Sequence, residues 1–294
     1  MAQLPLRELR VRLEAEARRG VPIFTLEKDY AISYFLAGMS DVPELAPLHF
    51  KGGTLLRKVI FGDYRFSEDL DFSSTEPFEC AQLLEHLNAA AISATRHASA
   101  YSALTFSVQR LNPAPHPRAQ CAYKVLARYP WHRSDSAVTR LKLEVAMHEH
   151  LFFSGKKAPL IHDYAGESLA AEVVCYDLTE VVTEKLRAFV QVRDHLLAKG
   201  WVNPRARDLY DLWALVTVRG QRFDWPEVRR AVEAKAKDVD AKFSGPDDFR
   251  DARVLTTYER VWGSKLAPLL VGGAVPDFAE ARAVLDEVLA KVFP

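Results

Sequence analysis

The sequence predicts an α+β protein, with a strand-bearing region interleaved with helices followed by a helical bundle. Three observations carry this. Residues 48–50, 69–72, 101–111, 120–129 and 137–147 alternate apolar and polar side chains, the two-residue period of half-buried strands. From about Asp177 the period becomes helical, over residues 178–197, 205–217, 225–236, 247–262 and 277–292. Hydrophobic residues make up 49% of the 294 positions, enough for a sizeable core. The change of period places a domain boundary near residue 170, giving segments 1–170 and 171–294.

Composition narrows the function classes. The 39 basic and 39 acidic residues cancel, so no global field recruits a polyanion. The distribution is uneven, however: Arg110, Arg118, Lys124, Arg128, Arg133, Arg140 and Lys142 are opposed by Asp135 alone, which allows a local positive surface. No apolar run reaches the roughly 20 residues that span a bilayer. Met1-Ala2-Gln3 leads into a charged helix, so the expected compartment is the cytoplasm, with no membrane partner. Cys80, Cys121 and Cys175 lack close pairing and are expected as reduced thiols.

Taken in order, residues 6–18 read as an amphipathic helix. Thr25 is the expected N-cap of a helix that closes near Gly38, with Glu27, Lys28 and Asp29 as solvated charge in its first turn. Leu48-His49-Phe50 leads into Lys51-Gly52-Gly53-Thr54, then a helix bearing Leu55, Leu56, Val59 and Ile60, then a short strand holding Asp69 and Asp71. Residues 78–92 form a helix; the strand at 101–111 is broken by a proline-rich stretch at 112–117; a polar turn at 131–136 separates the next two strands.

The chemistry gathers at the glycines and the carboxylates. Two glycines and a threonine at a strand-to-helix junction allow backbone N–H groups to approach a phosphate, although such a pair is equally a plain turn. Asp69 and Asp71 share one strand face, with Leu70 and Phe72 on the other. Two adjacent carboxylates repel unless a cation such as Mg2+ or Mn2+ sits between them, though Asp-x-Asp is also common on solvated edges. Lys142 and Glu144 repeat this arrangement, so neighbouring strands would bring a third carboxylate and a lysine to the pair. Arg65 and Ser67 lie between glycines and aspartates, where Arg65 could equally face solvent. Asp208 and Asp211, three apart, share a helix face, or are simply helix-start charge after Asn203-Pro204. His148-Glu149-His150 lacks the spacing of a helix-borne zinc site and reads as a polar strand end. Trp201, Tyr210 and Trp213 read as core or interface aromatics.

Several of these pieces occur in a recognisable order. Glu27-Lys28-Asp29-Tyr30, Phe50-Lys51-Gly52-Gly53-Thr54, Arg65-Phe66-Ser67-Glu68-Asp69-Leu70-Asp71, Lys142-Leu143-Glu144, Glu184-Lys185-Leu186-Arg187-Ala188 and Arg207-Asp208-Leu209-Tyr210-Asp211-Leu212 resemble the AbiEii-type nucleotidyltransferase toxins. These belong to the DNA polymerase β-like minimal nucleotidyltransferases. The resemblance spans residues 27–212 and implies a mixed-sheet nucleotidyltransferase core followed by a helical domain, with the active site in the cleft between them. It implies that Asp69, Asp71 and Glu144 bind catalytic Mg2+ or Mn2+, Glu144 also positioning the attacking hydroxyl. Gly52, Gly53, Thr54 and Ser67, with Arg65, would hold the triphosphate of an NTP, Lys142 and Lys185 would neutralise it, and Asp208 or Asp211 would organise Lys185 or the acceptor. The implied role is a toxin of a toxin-antitoxin or phage-defence system that moves a nucleoside monophosphate onto RNA, foremost a tRNA 3' end, with a cognate antitoxin encoded nearby. Transfer to a protein hydroxyl or to a small molecule such as an antibiotic, and a non-catalytic nucleotide-binding regulator, are the alternatives.

Overall fold

A computed structural model of the chain describes residues 6–17, 20–112, 120–147, 149–164, 166–217 and 223–294. Arg18, Arg118, His148 and most of the proline-rich stretch lie outside the described residues. The chain divides into two compact units, one of Met1–Glu149 with Gly155–Tyr176 and the other of His150–Ser154 with Asp177–Pro294.

In chain order the first unit contains α1 (Leu6–Ala17), α2 (Ile23–Ser40), β1 (Leu48–Lys51) and α3 (Gly52–Leu55), which continues as a π-helical turn over Leu56–Phe61. Next come β2 (Asp69–Ser74), α4 (Cys80–Ala98), β3 (Thr105–Leu111), β4 (Cys121–Arg128), β5 (Thr139–Ala146), β6 (Lys156–Pro159) and β7 (Glu172–Cys175). The strands form one mixed sheet in the order β3-β4-β5-β2-β1-β7-β6. β2 lies at its centre, antiparallel to β1 and parallel to β5. The last two strands are only four residues long and one ends in Pro159, too short for alternation to reveal them in the sequence.

Helix α2 departs from its sequence reading at both ends. It begins at Ile23, one turn's fraction before Thr25, and runs through Gly38 to Ser40. Every residue from Thr25 to Met39 except Lys28 is buried, the pattern of a helix enclosed by its own unit. Gly38 is needed for packing, because a Cβ there would run into the Ala90 carbonyl and Ala94 of α4. The expected solvated charges at 27–29 are also corrected. Glu27 and Asp29 are buried, and their partners are described with the site below.

The expectation of three free thiols is overturned as well. Cys80 and Cys121 form a disulfide with Cα atoms 5.5 Å apart, joining the start of α4 to the start of β4, while Cys175 lies outside this disulfide and is buried. The partners are 41 residues apart, so nothing local in the sequence announces the pairing.

The second unit comprises α5 (Leu178–Lys199), α6 (Ala206–Thr217), α7 (Trp225–Asp238), α8 (Ala252–Leu266) and α9 (Phe278–Val292). Asp177 caps α5 through the Thr179 amide, and Gly200 closes it in the left-handed conformation. The helix expected from Asp247 starts instead at Ala252 with Asp251 as its cap, residues Pro246–Arg250 forming a separate 3-10 turn. Buried Lys235 binds Glu180 at 2.7 Å, Glu184 at 2.6 Å and the His150 carbonyl at 2.8 Å. The Phe152 and Phe153 amides donate to Glu180. These bonds assign His150–Ser154 to the second unit, whereas β7, beyond the expected boundary at 170, belongs to the first. Trp201 is 69% exposed and so is not a core residue, unlike Tyr210. Among the described residues no helix is long and apolar enough to cross a membrane.

Candidate active site

Strand pairing builds the site. Asp69 pairs with Lys142 and Asp71 with Glu144 across β2 and β5, while Lys51 pairs with Asp71 across β1 and β2. The two aspartates and Glu144 are partly exposed on one face, and Leu70, Phe72, Leu143 and Val145 are buried behind them. The period-two geometry of the strands therefore brings residues 69, 71, 142 and 144 to one surface.

The glycine loop closes on that surface. Gly52 has φ of 80°, and a Cβ on it would stand 2.8 Å from Asp71 Oδ2. A Cβ on Gly53 would run into the Arg65 guanidinium and lie 3.0 Å from Ser67 Oγ. Both glycines are required by close approach of the backbone to these side chains. Thr54 is buried, and its hydroxyl donates to the Asp69 carbonyl at 2.6 Å, so it fixes β2 to the loop instead of presenting a free donor. Arg65 is 2% exposed and packed under the loop, which corrects the solvent-facing alternative.

Electrostatics at the pair favour a cation. Burial, then the Asp69 charge, push the Asp71 carboxyl up to about 6, against the opposing pull of Lys51. Burial opposes the charge of Lys142, but its bond to Glu144 at 2.7 Å leaves its pKa raised. Glu144 thus has one oxygen on Lys142, while its Oε1 is buried with no hydrogen-bond partner among the described residues. Among the described residues no group of three or more His, Cys, Asp or Glu converges to hold a metal. Glu144 is turned to Lys142, and Asp69 with Asp71 is the pair that repulsion suits to a divalent cation. The raised Asp71 carboxyl beside Asp69 fits such an ion.

Four residues outside the expected set, Lys51, Ser73, Glu149 and Tyr176, adjoin this surface. Lys51 Nζ and Ser73 Oγ both bind Glu149, and Tyr176 OH lies 2.7 Å from Ser73 Oγ and 3.2 Å from Glu149 Oε2. Lys51 had a legible signal, its place directly before the glycines. Glu149 did not, because its partners are remote in sequence.

The segment Glu27-Lys28-Asp29-Tyr30 fastens the surroundings. Glu27 accepts from Trp131 Nε1 at 2.8 Å and Thr139 Oγ1 at 3.2 Å, and Lys28 binds Glu68, next to Asp69, at 2.5 Å. Asp29 binds Arg57 at 2.5 Å and Lys58 at 2.7 Å in the π-helical turn. Burial opposes the Asp29 charge, yet the two cations hold its carboxyl down to about 2, while burial lowers Lys58 to about 8. Tyr30 and Tyr34 donate to Glu167 at 3.0 Å and 2.6 Å.

In the second unit Lys185 Nζ is 2.6 Å from both Asp208 and Asp211, and Arg205 also binds Asp208. Burial opposes the Asp208 charge, but Lys185 and Arg205 bring its pKa below the usual value. The two aspartates are therefore the anchors of Lys185, not solvated helix-start charge.

A family model described as "Nucleotidyl transferase AbiEii toxin, Type IV TA system" matches residues 34–284. The chain belongs to this family. As an AbiEii member it is a nucleotidyltransferase of the type IV toxin-antitoxin class. Its fold is similar to that of MenT4, a nucleotidyltransferase toxin from Mycobacterium tuberculosis H37Rv, at 21% identity and a TM-score of 0.62, covering 95% of this chain and 89% of that one. No curated protein matches the AbiEii chain described here.

Proposed function

We propose that the AbiEii chain transfers a nucleoside monophosphate from an NTP to the 3' end of an RNA, with tRNA as the acceptor. The observation that carries this reading is the register that sets Asp69 and Asp71 beside Glu144 and under the Gly52-Gly53 loop. Asp69 and Asp71 would hold Mg2+ or Mn2+, which when bound supplies charge to offset that developing on the attacking and leaving oxygens. In the reaction the acceptor hydroxyl oxygen forms a bond to the α-phosphorus as the bond from that phosphorus to the bridging oxygen breaks and pyrophosphate leaves. The hydroxyl proton passes to Glu144, freed from Lys142. The backbone of Gly52 and Gly53, with Ser67 and Arg65, holds the triphosphate, and Lys51 and Lys142 offset its charge. A cognate antitoxin is the expected protein partner.

Incubation with labelled NTPs, Mg2+ or Mn2+ and total tRNA tests this reading. It predicts labelled, lengthened RNA and loss of the label in Asp69→Ala and Asp71→Ala. Label on a polypeptide with none on RNA would overturn the acceptor, and full transfer by either variant would overturn the metal assignment.

A further inference from the structure

The face that carries the aspartates does not stop at β5. Lys142 pairs with Lys124 of β4, and Lys124 with Gln109 of β3, so one row crosses the sheet as Asp69, Lys142, Lys124 and Gln109. Like charges directly opposite on neighbouring strands are unfavourable unless an anion lies between or above them. Lys142 has Glu144, but among the described residues the ammonium of Lys124 has no hydrogen bond or ion pair. Arg140, on the same face, is turned to the carbonyls of Asp135, Ser136 and Val138, and Arg128 to Asp135. On the β5-β4-β3 side of the aspartates, among the described residues, Lys124 is thus a partially exposed cation left uncompensated, two strand spacings or about 10 Å from Asp69.

Its side of the sheet matters. The order β4-β5-β2-β1 puts the glycine loop and Lys51 on one flank of the aspartates and Lys142 with Lys124 on the other. In an in-line displacement the nucleophile and the leaving pyrophosphate occupy opposite sides of the phosphorus. We propose that the β5-β4-β3 face is the track of the acceptor strand, with Lys124 and Lys142 receiving its backbone phosphates next to the reacting end, and the β1 flank reserved for the triphosphate. This rests on the RNA-acceptor reading and deepens it. Lys142 then serves the acceptor more than the triphosphate.

Two measurements on Lys124→Glu, Lys124→Arg and the unaltered chain test the track. The first is filter binding of total tRNA without NTP over a salt series; the second is steady-state transfer with tRNA and NTP varied in turn. For Lys124→Glu the track requires weaker tRNA binding, a salt slope shallower by about 1, and a raised KM for tRNA with the KM for NTP unchanged. Lys124→Arg restores all three. Unchanged tRNA binding in Lys124→Glu, or a KM increase confined to NTP, overturns the track. If the unaltered chain binds tRNA through Lys124 yet labels only polypeptide, the track stands as a binding surface and the acceptor reading alone fails. If it binds no tRNA, both fail. Matching thermal melts for the three proteins exclude unfolding as the cause.

Discussion

Asp71 is held in a state that costs the fold something in the absence of a cation. Its carboxyl, pushed up to about 6 by burial and by Asp69, is ionised at neutral pH against that push. Because the folded-state pKa lies above the ordinary 3.8, the folded chain binds more protons between the two values, and stability falls as pH rises through that window. In chelator, Asp71→Asn is therefore expected to melt higher than the unaltered chain at pH 7, by roughly 1–2 kcal/mol after allowance for partial exposure. The gain should vanish below about pH 4. Thermal melts at a series of pH values check this, and added Mn2+ should raise the melting temperature of the unaltered chain alone. Gly52→Ala is expected to cost about 1–2 kcal/mol through its positive φ, with a further loss of transfer because the new methyl meets Asp71 Oδ2. Urea titration and the transfer assay separate the two effects.

At the scale of elements, α2 and the π-helical turn after α3 are joined by a buried ion cluster, Asp29 with Arg57 and Lys58. Removing one partner leaves uncompensated charge inside, so Asp29→Ala is expected to cost about 3–5 kcal/mol. Asp29, held near 2, also loses its contribution as pH falls from its ordinary value of 3.8 through about 2, which acid titration of the melting temperature would record. The disulfide between α4 and β4 gives a second test: reduction should lower stability by about 2–4 kcal/mol, and thiol titration of the denatured, unreduced chain should find Cys175 alone. These elements also mark the limit of what the sequence reveals. The alternation at 69–72 and 137–147 showed which side chains share a face, because that follows from a local period. Arg57 and Lys58 as partners of Asp29, Lys51 of Glu149 and Cys121 of Cys80 lie 28 to 98 residues away and left no periodic trace. Lys28 alone among the charges at 27–29 keeps the exposure the sequence suggested, and even it binds Glu68.

For the whole molecule, a net charge of zero conceals an uneven surface. The basic run between Arg110 and Lys142 is divided by strand parity, with Lys124, Arg128, Arg140 and Lys142 on the aspartate face. The parallel pairing of β2 with β5 has a consequence for how the protein comes into being. Parallel neighbours cannot be joined by a hairpin, and here α4, β3 and β4 are all made between them. During synthesis the Asp69–Asp71 strand leaves the ribosome long before Glu144, and pairing across so wide a loop is slow to form. Pulsed hydrogen exchange during refolding should show the β3–β4 hairpin protected before the β2 and β5 amides. Glu144 can join the Asp69–Asp71 strand only after α4, β3 and β4 have been made, so a nascent chain that ends before β5 carries the aspartates without their neighbouring carboxylate.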